Sequence, residues 1–355
     1  MGERSHALSQ RSLMRRPLTA VALATAAAIL AVSCTSSTDT APSPAVETAT
    51  GTPAPTTASA APPVDPNDPT GGLTAFFDPG SSADAQVLLL RDKGRTEEAD
   101  LIQRIADQPI GVWLGNWTTD PTTTVGSISD RALKADQIAI FVVYNVPGRD
   151  CGLYSAGGLS EEYYLTWIQK VADGVTPGSV VWFILEPDAL PQLGDCDGQG
   201  DRVGLIASAA EILDEAGGTV FLDVGHSNWK SAEVMAERIA LVGTDHVAGF
   251  STNTSNYNAT DDELEWATEL NALTGLPFIT DTSRSGNGAT EDGQWCNPRG
   301  RALGENPQVF GPPGPLLAYV WAKVPGESDG ECNGGPAAGK WWNEIAVELA
   351  RNAQE

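Results

Sequence analysis

The chain has 355 residues, with 46 Asp and Glu against 21 Lys and Arg, for a formal net charge of −25. An acidic excess of that size excludes nucleic acid and an anionic membrane surface as natural partners. Only three His are present, no run of residues has metal-ligand spacing, and no Gly-rich phosphate fingerprint opens a helix. Neither a metal nor a cofactor is therefore expected.

The N-terminus carries Arg4, Arg11, Arg15 and Arg16, followed by an apolar run from Leu18 to Val32. A basic start, a short apolar core and small residues before Cys34 read as a secretory signal over residues 1–33, too short for a stable membrane span. Ala31-Val32-Ser33-Cys34 resembles the lipobox of bacterial lipoproteins, in which that cysteine is lipidated and becomes the mature N-terminus. An ordinary signal peptide cut nearby is the alternative, so a membrane is a partner only through this anchor. Residues 35–70 are Thr, Ser, Ala and Pro with almost no large apolar side chain, a composition that cannot bury a core and predicts a disordered tether. Residues 71–355 remain as one large domain.

In that domain short apolar runs alternate with amphipathic segments. Strands are predicted at Ile110–Leu114, Gln137–Val143, Ser179–Leu185, Thr219–Asp223, Val247–Ser251, Pro277–Thr280 and Leu316–Ala322. Helices are predicted at Glu97–Asp107, Ser127–Lys134, Ser160–Asp173, Asp201–Ala216, Ser231–Ala240 and Asp261–Leu273. Val-, Ile- and Leu-rich strands separated by helices make a parallel sheet covered by helices. The fold class is α/β, a distorted (β/α) barrel of about seven parallel strands, with an open doubly wound sheet as the alternative.

Acids fall just past the strand ends. Asp150 follows the second strand, Glu186 and Asp188 the third, Asp223 and then His226 the fourth, Asp281 the sixth, and Lys323, Glu327 and Asp329 the last. In a parallel barrel these ends share one face, the face that carries active sites. One acid there is commonly a cap or a loop hydrogen bond; five strand ends feeding one mouth are not. Trp113, Trp229, Trp295 and Trp321 lie at the same places, whereas Trp167 and Trp182 read as core. Carboxylates between flat aromatic walls suit a neutral, hydroxylated ligand, and so a carbohydrate. Glycoside cleavage needs a protonated acid and a second carboxylate, and Asp188 with Asp150 supplies such a pair. No Gly-x-Ser-x-Gly elbow is present. Four cysteines in an exported chain predict two disulfides with three possible pairings. Cys151–Cys196 and Cys296–Cys332 are favoured because each pair flanks the acidic motifs.

The motifs follow in order: Val143-Tyr144-Asn145 with Gly148-Arg149-Asp150-Cys151, Leu185-Glu186-Pro187-Asp188, and Leu222-Asp223-Val224-Gly225-His226-Ser227-Asn228-Trp229. Then come Thr252-Asn253-Thr254-Ser255-Asn256-Tyr257, Asp281-Thr282-Ser283-Arg284, Trp295-Cys296-Asn297-Pro298 and Lys323-Val324-Pro325-Gly326-Glu327-Ser328-Asp329-Gly330. Over most of residues 75–335 they resemble glycoside hydrolase family 6, the inverting cellulases. The resemblance implies Asp188 as general acid, Asp150 as the neighbour that raises its pKa and helps move the proton of the attacking water, and Asp329 as the proposed base, whose directness is debated in the family. It implies that Tyr144 crowds the sugar at the cleavage subsite. Trp113, His226, Trp229, Asn253, Trp295, Lys323 and Glu327 match sugar-binding positions, Asp223 matches a supporting acid, and the family's disulfide pattern agrees with the favoured pairing. One departure concerns the loop after Asp150. The family places a serine six residues on, where Ala156 stands here, and Ser155 lies one earlier.

Exo-acting members carry long insertions that roof the cleft, notably between the last two cysteines. Here Cys296 and Cys332 are only 36 residues apart. An open cleft, and hence an endo-1,4-β-glucanase acting on a β-1,4-glucan, is the resulting expectation, and the chain is expected to be a monomer. An exo-acting cellobiohydrolase and a lipid-anchored, non-catalytic glucan-binding protein are the alternatives.

Overall fold

A computed structural model describes residues 68–353. The signal segment, Cys34 and the tether up to residue 67 lie outside the described residues.

All seven expected strands are present, and two more that are only two residues long. In chain order they are β1 (Thr74–Ala75), β2 (Val112–Leu114), β3 (Gln137–Val143), β4 (Val180–Leu185), β5 (Gly218–Asp223), β6 (Gly249–Thr252), β7 (Phe278–Asp281), β8 (Gln308–Val309) and β9 (Leu316–Val320). From β3 through β4, β5, β6 and β7 to β9, each strand pairs in parallel with the next. β1 and β2 share the outer edge of β3, at Gln137–Ile138 and Phe141–Val143 respectively. β8 runs antiparallel along β9. The barrel is nearly closed: across the gap the Gly111 N–H donates to the Trp321 carbonyl at 2.8 Å.

The β3 run QIAIFVV shows why the barrel strands read as unbroken apolar stretches. Ile138, Ile140 and Val142 join one buried cluster with Trp182, Ile184, Phe221 and Ile279 inside the barrel. Ala139, Phe141 and Val143 join a second, with helical residues such as Ile168, Leu205 and Ala267. Both faces of the strand are therefore buried. Trp182 and Phe221 meet edge to face at 5.1 Å, and the Trp182 indole N–H donates to the Pro69 carbonyl at 2.8 Å. Full burial of each large side chain is worth roughly 1.5–3 kcal/mol.

The helices are α1 (Ser82–Asp92), α2 (Thr96–Ala106), α3 (Pro121–Lys134), α4 (Glu161–Ala172), α5 (Arg202–Glu215), α6 (Ala232–Val242), α7 (Thr260–Thr274) and α8 (Asn343–Asn352). The expected helix at Ser127–Lys134 starts six residues earlier, as α3. Asp120 accepts from the Thr123 N–H and Pro121 occupies the first turn, where its missing N–H costs nothing. The Thr-rich first turn hides this start from hydrophobic periodicity. Neither α1 nor α8 was expected. α1 opens with a capping box, Ser81 accepting from the Asp84 N–H and Asp84 accepting from the Ser81 N–H. With α2 and α8 it forms a separate apolar cluster around Trp321 and Leu303, outside the barrel gap.

Two disulfides, Cys151–Cys196 and Cys296–Cys332, cross-link the loops beyond the strand ends.

Candidate active site

The residues at the strand ends leave regular geometry as soon as they leave the ladder. Asp150, Glu186, Asp188 and Asn253 all have φ between 50 and 69°, a left-handed region that non-glycine residues occupy at a cost. Hydrogen bonds hold them there. The Glu186 carboxylate, fully buried, accepts from the N–H groups of Asn145 (2.8 Å) and Val146 (3.0 Å) and from the Tyr164 hydroxyl (2.8 Å). It thereby ties the end of β4 to the end of β3. Arg202, also buried, donates to the carbonyls of Pro147, Gly148 and Ala189 and fixes the same two loops.

Asp188 lies half-buried at the mouth. Its N–H donates to Asp223 Oδ1 (3.0 Å), and its Oδ2 accepts from the Tyr144 hydroxyl (3.3 Å). Desolvation, then the carboxylates of Asp223 and Asp150, raise its pKa well above the ordinary value, and among the described residues no cation forms an ion pair with it. Asp223 ends β5, points into the barrel and is itself pushed up to about 7 by burial. Asp150 is buried, and its pKa is raised by desolvation despite the Ser155 N–H that donates to its Oδ2 at 2.6 Å. The Ser155 backbone thus holds Asp150, while Ser155 and Ala156 both line the cleft. Gly158 closes that loop against β3. A Cβ there would stand 2.0 Å from the Val146 carbonyl, so only glycine fits.

Asp329 is the opposite kind of acid. Arg284 Nη1 donates to its Oδ1 at 2.8 Å, and Lys323 Nζ lies 3.5 Å away. Its Oδ2 accepts from the Tyr257 hydroxyl at 2.7 Å and the Asn297 N–H at 3.0 Å. Burial alone would raise its pKa, but Arg284, Lys323 and these two donors outweigh it and hold the carboxylate below its ordinary range. Asp281, at the end of β7, receives the N–H groups of Ser255 and Lys323 and so aligns the loops that carry Arg284 and Lys323.

Two cavities flank the Tyr144–Asp188 hydrogen bond, Tyr144 lining one and Asp188 the other. One, of about 710 Å³, is walled by Trp113, Trp117, Tyr144, Arg149 and Glu327. The other, of about 600 Å³, is walled by Asp150, Asp188, His226, Trp229 and Trp295. Trp113 packs edge-on against Tyr144 with centroids 5.4 Å apart, and its indole N–H donates to the Ala322 carbonyl. His226 tilts over Trp229, and burial lowers its pKa to about 4, so the ring is neutral at neutral pH. Asn253 differs from the other expected contacts. It is fully buried, with its amide bonded to the carbonyls of Asn258 and Asp281 and to the Asn258 N–H.

Residues 72–353 match the model of Glycosyl hydrolases family 6. The chain belongs to this family. It is 48% identical over 257 residues to Endoglucanase A of Cellulomonas fimi, covering 72% of this chain and 56% of that protein, so it spans little more than half that relative's length. It is 36% identical over 306 residues to Endoglucanase 1 of Streptomyces halstedii, covering 82% of this chain and 93% of that protein. Among solved structures, the endoglucanase Cel6 from Mycobacterium tuberculosis, in complex with a methyl cellobiosyl-4-deoxy-4-thio-β-D-cellobioside, superposes with a TM-score of 0.74 at 36% identity, covering 80% of this chain and 98% of that one.

Four residues of this family 6 hydrolase that received no role from sequence stand at the centre of the site. Arg284 and Tyr257 grip Asp329, and the Arg284 guanidinium stacks 3.9 Å from the Tyr257 ring. Glu186 and Arg149 hold the other side. Arg149 donates to the carbonyls of Tyr144 and Ser155 and lies 4.8 Å over the Tyr144 ring. All four stand in the motifs quoted above. What would have singled them out is charge: a Glu beside Pro and an Arg beside Asp have no place in a core without a specific partner.

Proposed function

We propose that this family 6 hydrolase is an endo-1,4-β-glucanase that cleaves internal bonds with inversion. The observation that carries the reading is Asp188: a carboxyl whose pKa is raised by burial and then by Asp223 and Asp150, hydrogen-bonded to Tyr144 and flanked by two aromatic-walled cavities along which a chain can lie. In this reading Asp188 gives its proton to the leaving glycosidic oxygen. Tyr144, hydrogen-bonded to it, crowds the ring that must distort. Asp150 accepts the proton of the attacking water through solvent. Asp329, ionised and held by four donors, fixes negative charge on the far side of the mouth. A single displacement by water on the opposite face of the ring gives the α-anomer from a β-linked chain. Trp113, His226, Trp229, Trp295, Lys323 and Glu327 contact sugar, while Asp223 and Asn253 act from behind the wall.

Support for endo action comes from the short stretch between Cys296 and Cys332 and from relatives whose names are endoglucanase over most of the matched length. The two disulfides require an oxidising compartment, which agrees with export. We propose further that the chain acts as a monomer tethered outside the cell through lipidated Cys34, which the mass of the mature N-terminus tests.

On soluble β-1,4-glucan, viscosity should fall early while reducing ends rise slowly, and proton NMR should show the α-anomer first. Cellobiose release at nearly constant viscosity would mean exo action. The β-anomer appearing first would remove the inverting mechanism, and binding without cleavage would make the protein a glucan receptor.

A further inference from the structure

Among the described residues, which include all ten tryptophans of the chain, only Trp117 and Trp295 are exposed, at 53% and 43%. An indole left in water forgoes much of the burial energy that large aromatic side chains usually contribute. Both exposed indoles lie on cavity walls, one in each lobe of the cleft. Trp295 already has a proposed part in holding sugar. Trp117 has none.

Trp117 stands three residues beyond the end of β2, and its conformation is imposed from behind. A Cβ added to Gly115 would lie 2.5 Å from the six-membered ring of the indole, so the ring rests directly on the Gly115 backbone. The Arg149 guanidinium lies 5.1 Å from the ring centroid, and the same guanidinium is fixed by the Tyr144 and Ser155 carbonyls. Stacking of this kind holds the ring through its π face. An indole anchored in this way and still half exposed is a preset apolar plane. The CH face of a glucosyl ring fits such a plane without any ordering of the side chain on binding.

We propose that Trp117 is the platform of an outer glucosyl subsite in the lobe walled by Trp113 and Glu327, away from Asp188, filled only by chains long enough to reach it. The proposal rests on the reading of the cleft as a β-1,4-glucan site. Its consequence is a length-dependent advantage that does not pass through the chemistry at Asp188.

The experiment compares wild type, Trp117→Ala, Trp117→Tyr and Gly115→Ala on cello-oligosaccharides from three to six units, by kcat/KM and by calorimetric binding. Trp117→Ala should lower kcat/KM about three- to tenfold on the longest chain, the range expected for one aromatic stacking contact. The shortest cleaved chain should change less than twofold. Trp117→Tyr should recover most of the loss, and Gly115→Ala, which keeps the indole but lifts it off its seat, should reproduce it. An equal fall at every length would make Trp117 a prop for Arg149 and Tyr144 and overturn the subsite, as would no fall at all. A wild type that binds long chains but cleaves none would refute the hydrolase reading alone, and the variants' binding constants would then decide the subsite. Failure of the wild type to bind any of them would overturn both.

Discussion

Asp188, beyond β4, and Asp329, beyond β9, face one mouth and are both closely surrounded by protein, yet one carboxyl is pushed up and the other drawn down. Burial acts on both in the same direction. What separates them is the company. Around Asp188 the charges that act most strongly are those of Asp223 and Asp150, and the buried arginine that opposes them, Arg202, points its donors at backbone carbonyls instead. Around Asp329 stand Arg284 and Lys323, with Tyr257 and Asn297 completing the carboxylate's hydrogen bonds. Each side has its own disulfide, Cys151–Cys196 linking the Asp150 loop to the chain beyond Asp188 and Cys296–Cys332 bracketing Asp329. A mouth of this kind separates proton donation from charge fixation by strand, and the difference can be broken from either side.

The largest effect should come from Asp188→Asn. Loss of a general acid typically costs about a hundred- to ten-thousand-fold in rate. Cleavage of unactivated glucan should fall by that amount, and a substrate with a good leaving group should be partly rescued. Equal losses on both substrates would remove Asp188 from proton donation. On the other side, Arg284→Met leaves a buried carboxylate short of its main partner. Breaking a buried pair in this way costs about 3–5 kcal/mol, to be read as a fall in the denaturation midpoint. A variant as stable as wild type would show that Lys323, Tyr257 and Asn297 suffice.

Asp223→Asn removes the larger of the two charges acting on Asp188. The acid form is the active one, so activity is lost as pH rises through its pKa. Lowering that pKa moves the alkaline limb of the rate profile to lower pH. Asp150→Ala should move it the same way by less, and because the carboxyls titrate together the limb belongs to the group. An alkaline limb unmoved by Asp223→Asn would break the account of how Asp188 stays protonated. The smallest effect concerns Glu186, which burial raises to about 7 from 4.5. Between those values the folded chain holds a proton that the unfolded chain has lost. Its contribution to stability is complete below about pH 4.5 and is lost as pH rises through about 7. Glu186→Gln should flatten the decline of the thermal midpoint over that interval, and an unchanged slope would place the titration elsewhere.

The barrel was legible in the sequence because its strands are buried on both faces, so QIAIFVV and VVWFIL read as strands without any help from alternation. β1 and β8 were not, since two residues carry no period. α1 left a readable signal in Ser81 and Asp84, one that apolar spacing does not register. The acids of the mouth were visible as a pattern of strand ends. Their opposite roles came from the resemblance, but the groups that hold Asp329 ionised did not, because Arg284 reaches it across 45 residues and Tyr257 across 72. Only the closed arrangement of the strands turns those separations into contacts. Asn253 shows the converse: a polar residue in a site motif whose amide is bonded within the wall.

The gap between β2 and β9 gives the barrel two strand edges, and a free edge is a template on which a foreign strand can add. This chain leaves almost nothing to copy. The outer edge of β3 is divided between β1 and β2, that of β9 is met by β8 and by the Gly111 N–H, and the gap is backed by the α1, α2 and α8 cluster around Trp321. Among the described residues, the unpaired stretch of strand edge that remains is at most three residues long. An incomplete barrel thus gains what a complete one has by symmetry, protection against edge-to-edge aggregation, while the break in its wall stays beside the cleft.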